Sequence, residues 1–241
     1  MRKTILSLLF AALSLFAFSS YASGEREIIS LITRYDVNQR EQERFRNVLV
    51  DYVEQAIAQE GNVMAEAYYE QENPLIVWVI ERWTSKDALR SAHESKQFRA
   101  IELLARKALI KPAQNTYIKD LEPLSKEQWR RVAARADKPI TIMLFVDAKA
   151  GTEADFKRIY HAAMPQFRAE PGVINYQLSQ FEEDSTQFVT YEKFKDDAGF
   201  QYHLNFPPIQ PVIDYLNTNI KKQPFQSGLH RLIEFSPLIR E

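Results

Sequence analysis

The chain has 241 residues, 45% of them hydrophobic and 26% charged, with a formal net charge of −1. That composition suits a globular chain with a real core, in one large or two small domains, and its near-neutral balance gives no footprint for nucleic acid or an acidic membrane surface. Without a single cysteine it can form neither disulfides nor a lipid-anchored cysteine.

In chain order, the first element is a leader. Arg2 and Lys3 form a basic start, Ile5 to Phe18 are almost wholly apolar, and Ser20-Tyr21-Ala22 places small residues around a cut after Ala22. This is the layout of a secretory signal peptide, residues 1–22. The apolar run, about 14 residues, falls short of the ~20 that span a bilayer, so a cleaved leader is favoured over a membrane anchor. The mature chain is therefore expected in the periplasm or secreted, with no membrane span after cleavage.

A strand is expected over about 27–36, then a long helix over about 39–59. The helix carries Phe45, Val48, Leu49, Tyr52, Val53 and Ala56 at the i, i+3, i+4 spacing of one apolar face. Two strands follow around the polar turn Gln71-Glu72-Asn73-Pro74 and end at Glu81-Arg82-Trp83. A second helical region and a last strand, about 113–121, complete the unit. Next comes a connector, 125–138, in which Ser125 and Gln128 form a capping box at a helix start. Trp129, Val132, Ala133 and Ala136 share one face. Lys126, Arg130, Arg131, Arg135 and Lys138 cover much of the rest, as in a docked linker with a solvated basic side.

The order then repeats. A shift of 111 residues aligns Ile29–Glu81 with Ile140–Glu192 without a gap. The apolar stripe falls on Phe156, Ile159, Tyr160, Ala163, Met164 and Phe167, Gly61 falls on Gly172, and Glu81-Arg82-Trp83 falls on Glu192-Lys193-Phe194. The second unit predicts a strand over 139–148, a helix over 152–169 and a last strand over 226–235, with a kink where Pro165 lacks its N–H. Both units close alike, through Leu121-Glu122-Pro123-Leu124 and Phe235-Ser236-Pro237-Leu238. The fold class is α+β: two tandem ferredoxin-like domains, each β-α-β-β-α-β, at 25–124 and 139–241.

The second unit reads Glu170-Pro171-Gly172, then Tyr191-Glu192-Lys193-Phe194, then Tyr202-His203-Leu204. The first reads Glu81-Arg82-Trp83, Asp87-Ala88-Leu89, His93 and Ser95-Lys96-Gln97-Phe98. In order and spacing these motifs resemble the antibiotic biosynthesis monooxygenase family, over nearly all of the mature chain. The resemblance implies that the two domains pair through their sheets into an α+β barrel, here within one chain, further pairing of chains being left open. It also implies a small aromatic or quinol-like substrate, oxidised with molecular oxygen and no cofactor or metal. Other relatives degrade haem or isomerise small sugars, so fold transfers better than activity.

Within that family pattern His203 is the candidate general base, and Glu192 is a carboxylate that would orient it or bind a substrate hydroxyl. An imidazole titrating near neutrality is suited to taking a proton from a phenol. Phe194, Tyr191, Tyr176 and Asn175 are candidate substrate-binding residues in the second copy, and His93, Trp83 and Glu81 in the first. The family spacing places the histidine 11 residues after the strand glutamate. Glu192 and His203 keep it, whereas Glu81 and His93 are 12 apart, which on a helix turns the side chain by ~100°. The second copy is thus the expected working site. Haem-degrading relatives carry a further histidine where this chain has Leu103 and Ile213, which speaks against that chemistry. The four histidines have no metal-ligand spacing, and the six glycines form no nucleotide-binding loop. The alternatives to an enzyme are a non-catalytic module binding a small ligand or haem, and a degenerate structural or interaction protein.

Overall fold

The computed structural model describes residues 28–240; the expected signal segment, 1–22, lies outside them. The first copy comprises β1 (Ile29–Asp36), α1 (Gln42–Ile57), β2 (Asn62–Glu70), β3 (Ile76–Trp83), α2 (Lys86–His93), α3 (Lys96–Ala108) and β4 (Gln114–Leu121). A single helical turn, α4 (Lys126–Trp129), lies in the linker. The second copy comprises β5 (Ile140–Asp147), α5 (Glu153–Arg168), β6 (Val173–Phe181), β7 (Gln187–Phe194), α6 (Asp197–Leu204), α7 (Gln210–Thr218) and β8 (Leu229–Ser236).

The order β-α-β-β-α-β holds in each copy, with local differences. The second helical region is two helices in both copies, because Ser95 caps a fresh start at α3 and the Phe206-Pro207-Pro208 stretch separates α6 from α7. The expected first helix begins as a 3-10 turn, Gln39–Glu41, capped by Asn38. Helix α5 runs on through Pro165, which lies on its exposed side within a turn of the helix end. The linker helix stops after one turn, although its capping box is present as expected.

Each copy forms an antiparallel sheet, ordered β4-β1-β3-β2 and β8-β5-β7-β6. Strand β2 pairs with β8 and β4 with β6, so the two sheets close into one eight-stranded barrel. Closure leaves no unpaired strand edge. Side chains alternate along every strand, and the alternation builds two different environments. The outward set, such as Leu31, Val77, Val79 and Trp83, packs under α1 and α3; its counterpart under α5 and α7 includes Val146, Phe188 and Tyr176. The inward set includes Ile32, Tyr68, Trp78, Met143, Val189 and Tyr191, with Trp129 of the linker packed against it. Arg130 fixes the linker by donating to the carbonyls of Ile57, Asn62 and Val63 at 3.0–3.1 Å. Among the described residues no helix is long and apolar enough to cross a membrane.

Candidate active site

Glu81 and Trp83 lie two apart on β3 and so share its outward face, under the helices. Burying a carboxylate is costly unless donors surround it, and here three side chains converge on Glu81. Tyr52 of α1 donates its hydroxyl to Oε1 at 2.5 Å, and the Trp83 indole donates to the same oxygen at 3.1 Å. His93, the last residue of α2, holds Nε2 3.3 Å from Oε2. Its ring lies flat on Phe98, centroids 3.9 Å apart. Burial, and then the charge of Glu81, push the Tyr52 phenol far above its ordinary value, so it remains a proton donor. The carboxylate is 2% exposed and the imidazole 25%, which leaves the histidine open to solvent on one side.

The second copy repeats the arrangement with different suppliers. Tyr176 of β6 donates to Glu192 Oε1 at 3.0 Å, and His203 Nε2 stands 3.9 Å from Oε2. Its other nitrogen, Nδ1, is 2.7 Å from Glu170 Oε1, so the imidazole is held between two carboxylates and is only 2% exposed. Burial pushes the Glu192 carboxyl above its ordinary range, and the neighbouring His203 only partly offsets this. Under the repeat, Tyr52 aligns with Ala163 and Tyr176 with Ala65. Each copy thus has one tyrosine on its glutamate, from the helix in one and from the strand in the other, with alanine making room at the reciprocal position. Glu170 aligns with Gln59, so only the second copy has the second carboxylate.

The structure brings Glu81, His93 and Trp83 together, and likewise Glu192, His203, Tyr176 and Phe194, whose ring is 5.5 Å from that of His203. It corrects the expectation that 12-residue spacing takes His93 out of reach. His93 ends α2, where its side chain can fold back over Phe98 to the carboxylate, and its approach to Glu81 is the shorter of the two. The positions of Tyr191 and Asn175 also differ from the expectation. Both point into the barrel: Tyr191 donates to Glu66 at 2.6 Å and Asn175 to the Trp129 carbonyl at 3.2 Å. Period-two alternation from Glu192 already places Tyr191 on the opposite face.

Sequence reasoning missed the charged interior. Lys193 bridges Glu66 at 2.8 Å and Glu234 at 2.9 Å. Tyr68 also donates to Glu66. Arg82 forms a two-pronged pair with Asp120 at 2.6 and 2.9 Å and lies 3.7 Å over the Trp129 ring. Since the two closing segments align, Arg82–Asp120 and Lys193–Glu234 are the same pair in the two copies. The usable signal was a cation directly between Glu81 and Trp83, and between Glu192 and Phe194, on strands buried on both faces.

The model of the family described as antibiotic biosynthesis monooxygenase matches residues 28–102 and again 139–213. A candidate monooxygenase from Lactobacillus acidophilus superposes with a TM-score of 0.71 at 13% identity, over 86% of this chain and 94% of that one. A second, from Fusobacterium nucleatum, gives 0.71 at 12% identity over 86% and 91%. An anthrone oxidase-like protein gives 0.58 at 7% identity over 90% and 97%. An uncharacterised protein of Synechocystis is 21% identical over 103 residues, 43% of this chain and 69% of its own length. At these identities the structural likeness speaks for the fold alone.

Proposed function

The chain belongs to the antibiotic biosynthesis monooxygenase family, and from that premise we propose that it oxidises a small phenol or quinol with molecular oxygen and no cofactor. The observation that carries this reading is the buried carboxylate of the third strand in each copy, met on one oxygen by tyrosine and on the other side by an imidazole. In the first copy, a proton on His93 Nε2 held toward Glu81 leaves Nδ1 as the basic nitrogen. Nδ1 takes the phenolic proton, and Glu81 stabilises the imidazolium that forms. The resulting phenolate passes an electron to oxygen, and the radical pair combines. For a hydroquinone, one oxygen atom enters the ring, the other leaves as water, and the product is a hydroxyquinone.

The first copy supports this role better than the second. His93 is partly exposed, whereas both nitrogens of His203 face carboxylates. In this reading Glu192 and His203, with Tyr176 and Phe194 around them, form a locked counterpart that becomes reactive only if Glu170 releases the ring. The basic, apolar and small-residue order of residues 1–22 supports export, so we place the reaction outside the inner membrane. Oxygen consumption with a panel of hydroquinones and polycyclic phenols tests the function. Uptake that depends on protein and on His93 is the expected result; a panel without turnover by well-folded protein refutes it.

A further inference from the structure

The two copies treat one place on their outer surface differently. In the first copy Arg46 of α1 lays its guanidinium 4.1 Å over the Tyr69 ring and 5.7 Å over the Phe235 ring, and those two rings stack with centroids 6.4 Å apart. Together they occupy the space between α1 and the β2–β8 seam. Under the repeat Arg46 becomes Lys157, Tyr69 becomes Gln180 and Phe235 becomes Leu121. The second copy thus keeps the cation and lacks both rings, and Gln180 turns instead to the Ser185 carbonyl at 2.6 Å. A groove of about 400 Å³ is open there, between α5 and the β4–β6 seam, even though Tyr160 and Leu178 in its wall are larger than their counterparts Leu49 and Ala67. That volume lies within the ~300–1,000 Å³ of small-molecule sites. We propose that this groove binds a small aromatic carboxylate, whose ring takes the place that Tyr69 and Phe235 fill in the first copy.

The chemistry of the lining selects that ligand. Leu121, Leu178 and Met164 supply apolar surface, and a methionine sulfur is a favourable neighbour for an aromatic ring. The charged groups are Glu122, Lys157, Arg158 and His161. Arg158 is paired with Asp155 at 3.0 Å and His161 with Glu122 at 2.5 Å. The Lys157 ammonium has no ion-pair partner among the described residues. An aromatic carboxylate satisfies it twice, through the ring face and through the anion. A neutral aromatic forgoes the second contact, and a cationic one is repelled.

The groove contains neither Glu81 nor His93, and the probe, 2-naphthoate, carries no hydroxyl to oxidise, so the outcome is independent of the proposed oxygen chemistry. The purified full chain is titrated with 2-naphthoate by calorimetry, and by NMR of methyl-labelled methionine, with the Met164 signal assigned through Met164→Leu. Saturable binding is expected, with a ring-current shift at Met164 and none at Met64 or Met143 in the barrel interior. Lys157→Met should weaken binding about two- to five-fold, the scale of an exposed ion pair. Leu121→Phe restores a ring that the first copy already accommodates at this place, and should weaken binding about ten-fold or more by filling the groove. Both variants are first checked for native near-UV circular dichroism. No saturable binding, a shift confined to Met64 or Met143, or unchanged binding in either folded variant overturns the proposal. So does sedimentation showing that a second copy of the chain occupies the groove, as a dimer that Leu121→Phe abolishes.

Discussion

Replacing Lys193 by methionine tests whether the barrel's interior charges are held by one another. The ammonium is 4% exposed and touches both Glu66 and Glu234. Methionine approximates its length but leaves two buried carboxyls without their cation; Arg240 stands 3.9 Å from Glu234, and Arg130 and Arg131 line the same cavity as the two carboxyls. Removing one partner of a buried pair costs about 3–5 kcal/mol, against a total stability of ~5–15 kcal/mol for an ordinary protein. Urea unfolding followed by far-UV circular dichroism at pH 7 should show a loss of that size. The pH dependence gives the sharper signature. In the wild type Glu66 is held below its ordinary 4.5, so its stabilisation is complete above that value and is lost as pH falls through the folded pKa. In the variant the Lys193 charge no longer opposes burial, the largest influence on Glu66; only the hydrogen bonds from Tyr68 and Tyr191 still hold the carboxyl down, and its pKa rises. The folded state then binds more protons than the unfolded one, and stability falls as pH rises above the ordinary carboxylate range. The gap between the two proteins should therefore narrow from pH 7 to pH 5, and Glu66→Gln added to Lys193→Met should recover about 1 kcal/mol or more. A gap that stays constant with pH, or a loss below about 1 kcal/mol, would refute the reasoning.

The other predictions concern the site, a packing contact and export. His93→Ala should lower quinol-dependent oxygen uptake by ~10²-fold, the scale for losing a general base, and His203→Ala should lower it far less; equal losses would show that both copies work. Tyr52→Phe should cost stability through the buried Glu81 oxygen it leaves with fewer donors, about 1–3 kcal/mol by thermal unfolding, and an unchanged melting temperature would count against that bond. Gly172→Ala would set a methyl 2.6 Å from the Gly199 backbone, where nothing flexible can yield, so a destabilisation of at least ~1–3 kcal/mol is expected and a neutral variant would contradict the packing. Intact-mass analysis of periplasmic material should show loss of residues 1–22 or a segment close to it; full-length protein in the membrane fraction would contradict export.

Fold was legible because helix stripe, glycine turn and strand end repeat in one register. Phe45 to Ala56 and Phe156 to Phe167 mark helices covering a sheet, and Glu81 and Glu192 mark equivalent strand ends. Which residue reaches those carboxylates was less legible. The swap of Tyr52 and Ala65 for Ala163 and Tyr176 preserves a contact in space while exchanging the elements that deliver it, and no pattern within one helix or strand records such an exchange. The 12-residue spacing of His93 misled because helical rotation governs a helix interior, and His93 is the residue at which α2 stops. The interior network was hidden for another reason. Lys193 and Arg82 read as solvated charges until the second sheet folds over them, so their burial is a property of the pair of copies and of neither alone.

Joining both halves of the barrel in one polypeptide makes their encounter unimolecular. A barrel assembled from separate chains falls apart on dilution, whereas here the opposite half is always present at the high effective concentration set by the short linker. Under the proposed export the protein would enter a volume where its own concentration is not under its control, and the built-in partner would matter there. The join also removes a constraint on evolution. When two identical chains meet across a two-fold axis, every substitution appears twice, and a glutamate at the position of Glu66 would always be matched by the same glutamate in the other chain. In the fused chain the counterpart is Gln177, so a single charge can be placed on one side of the seam, where a symmetric assembly would have to accommodate two.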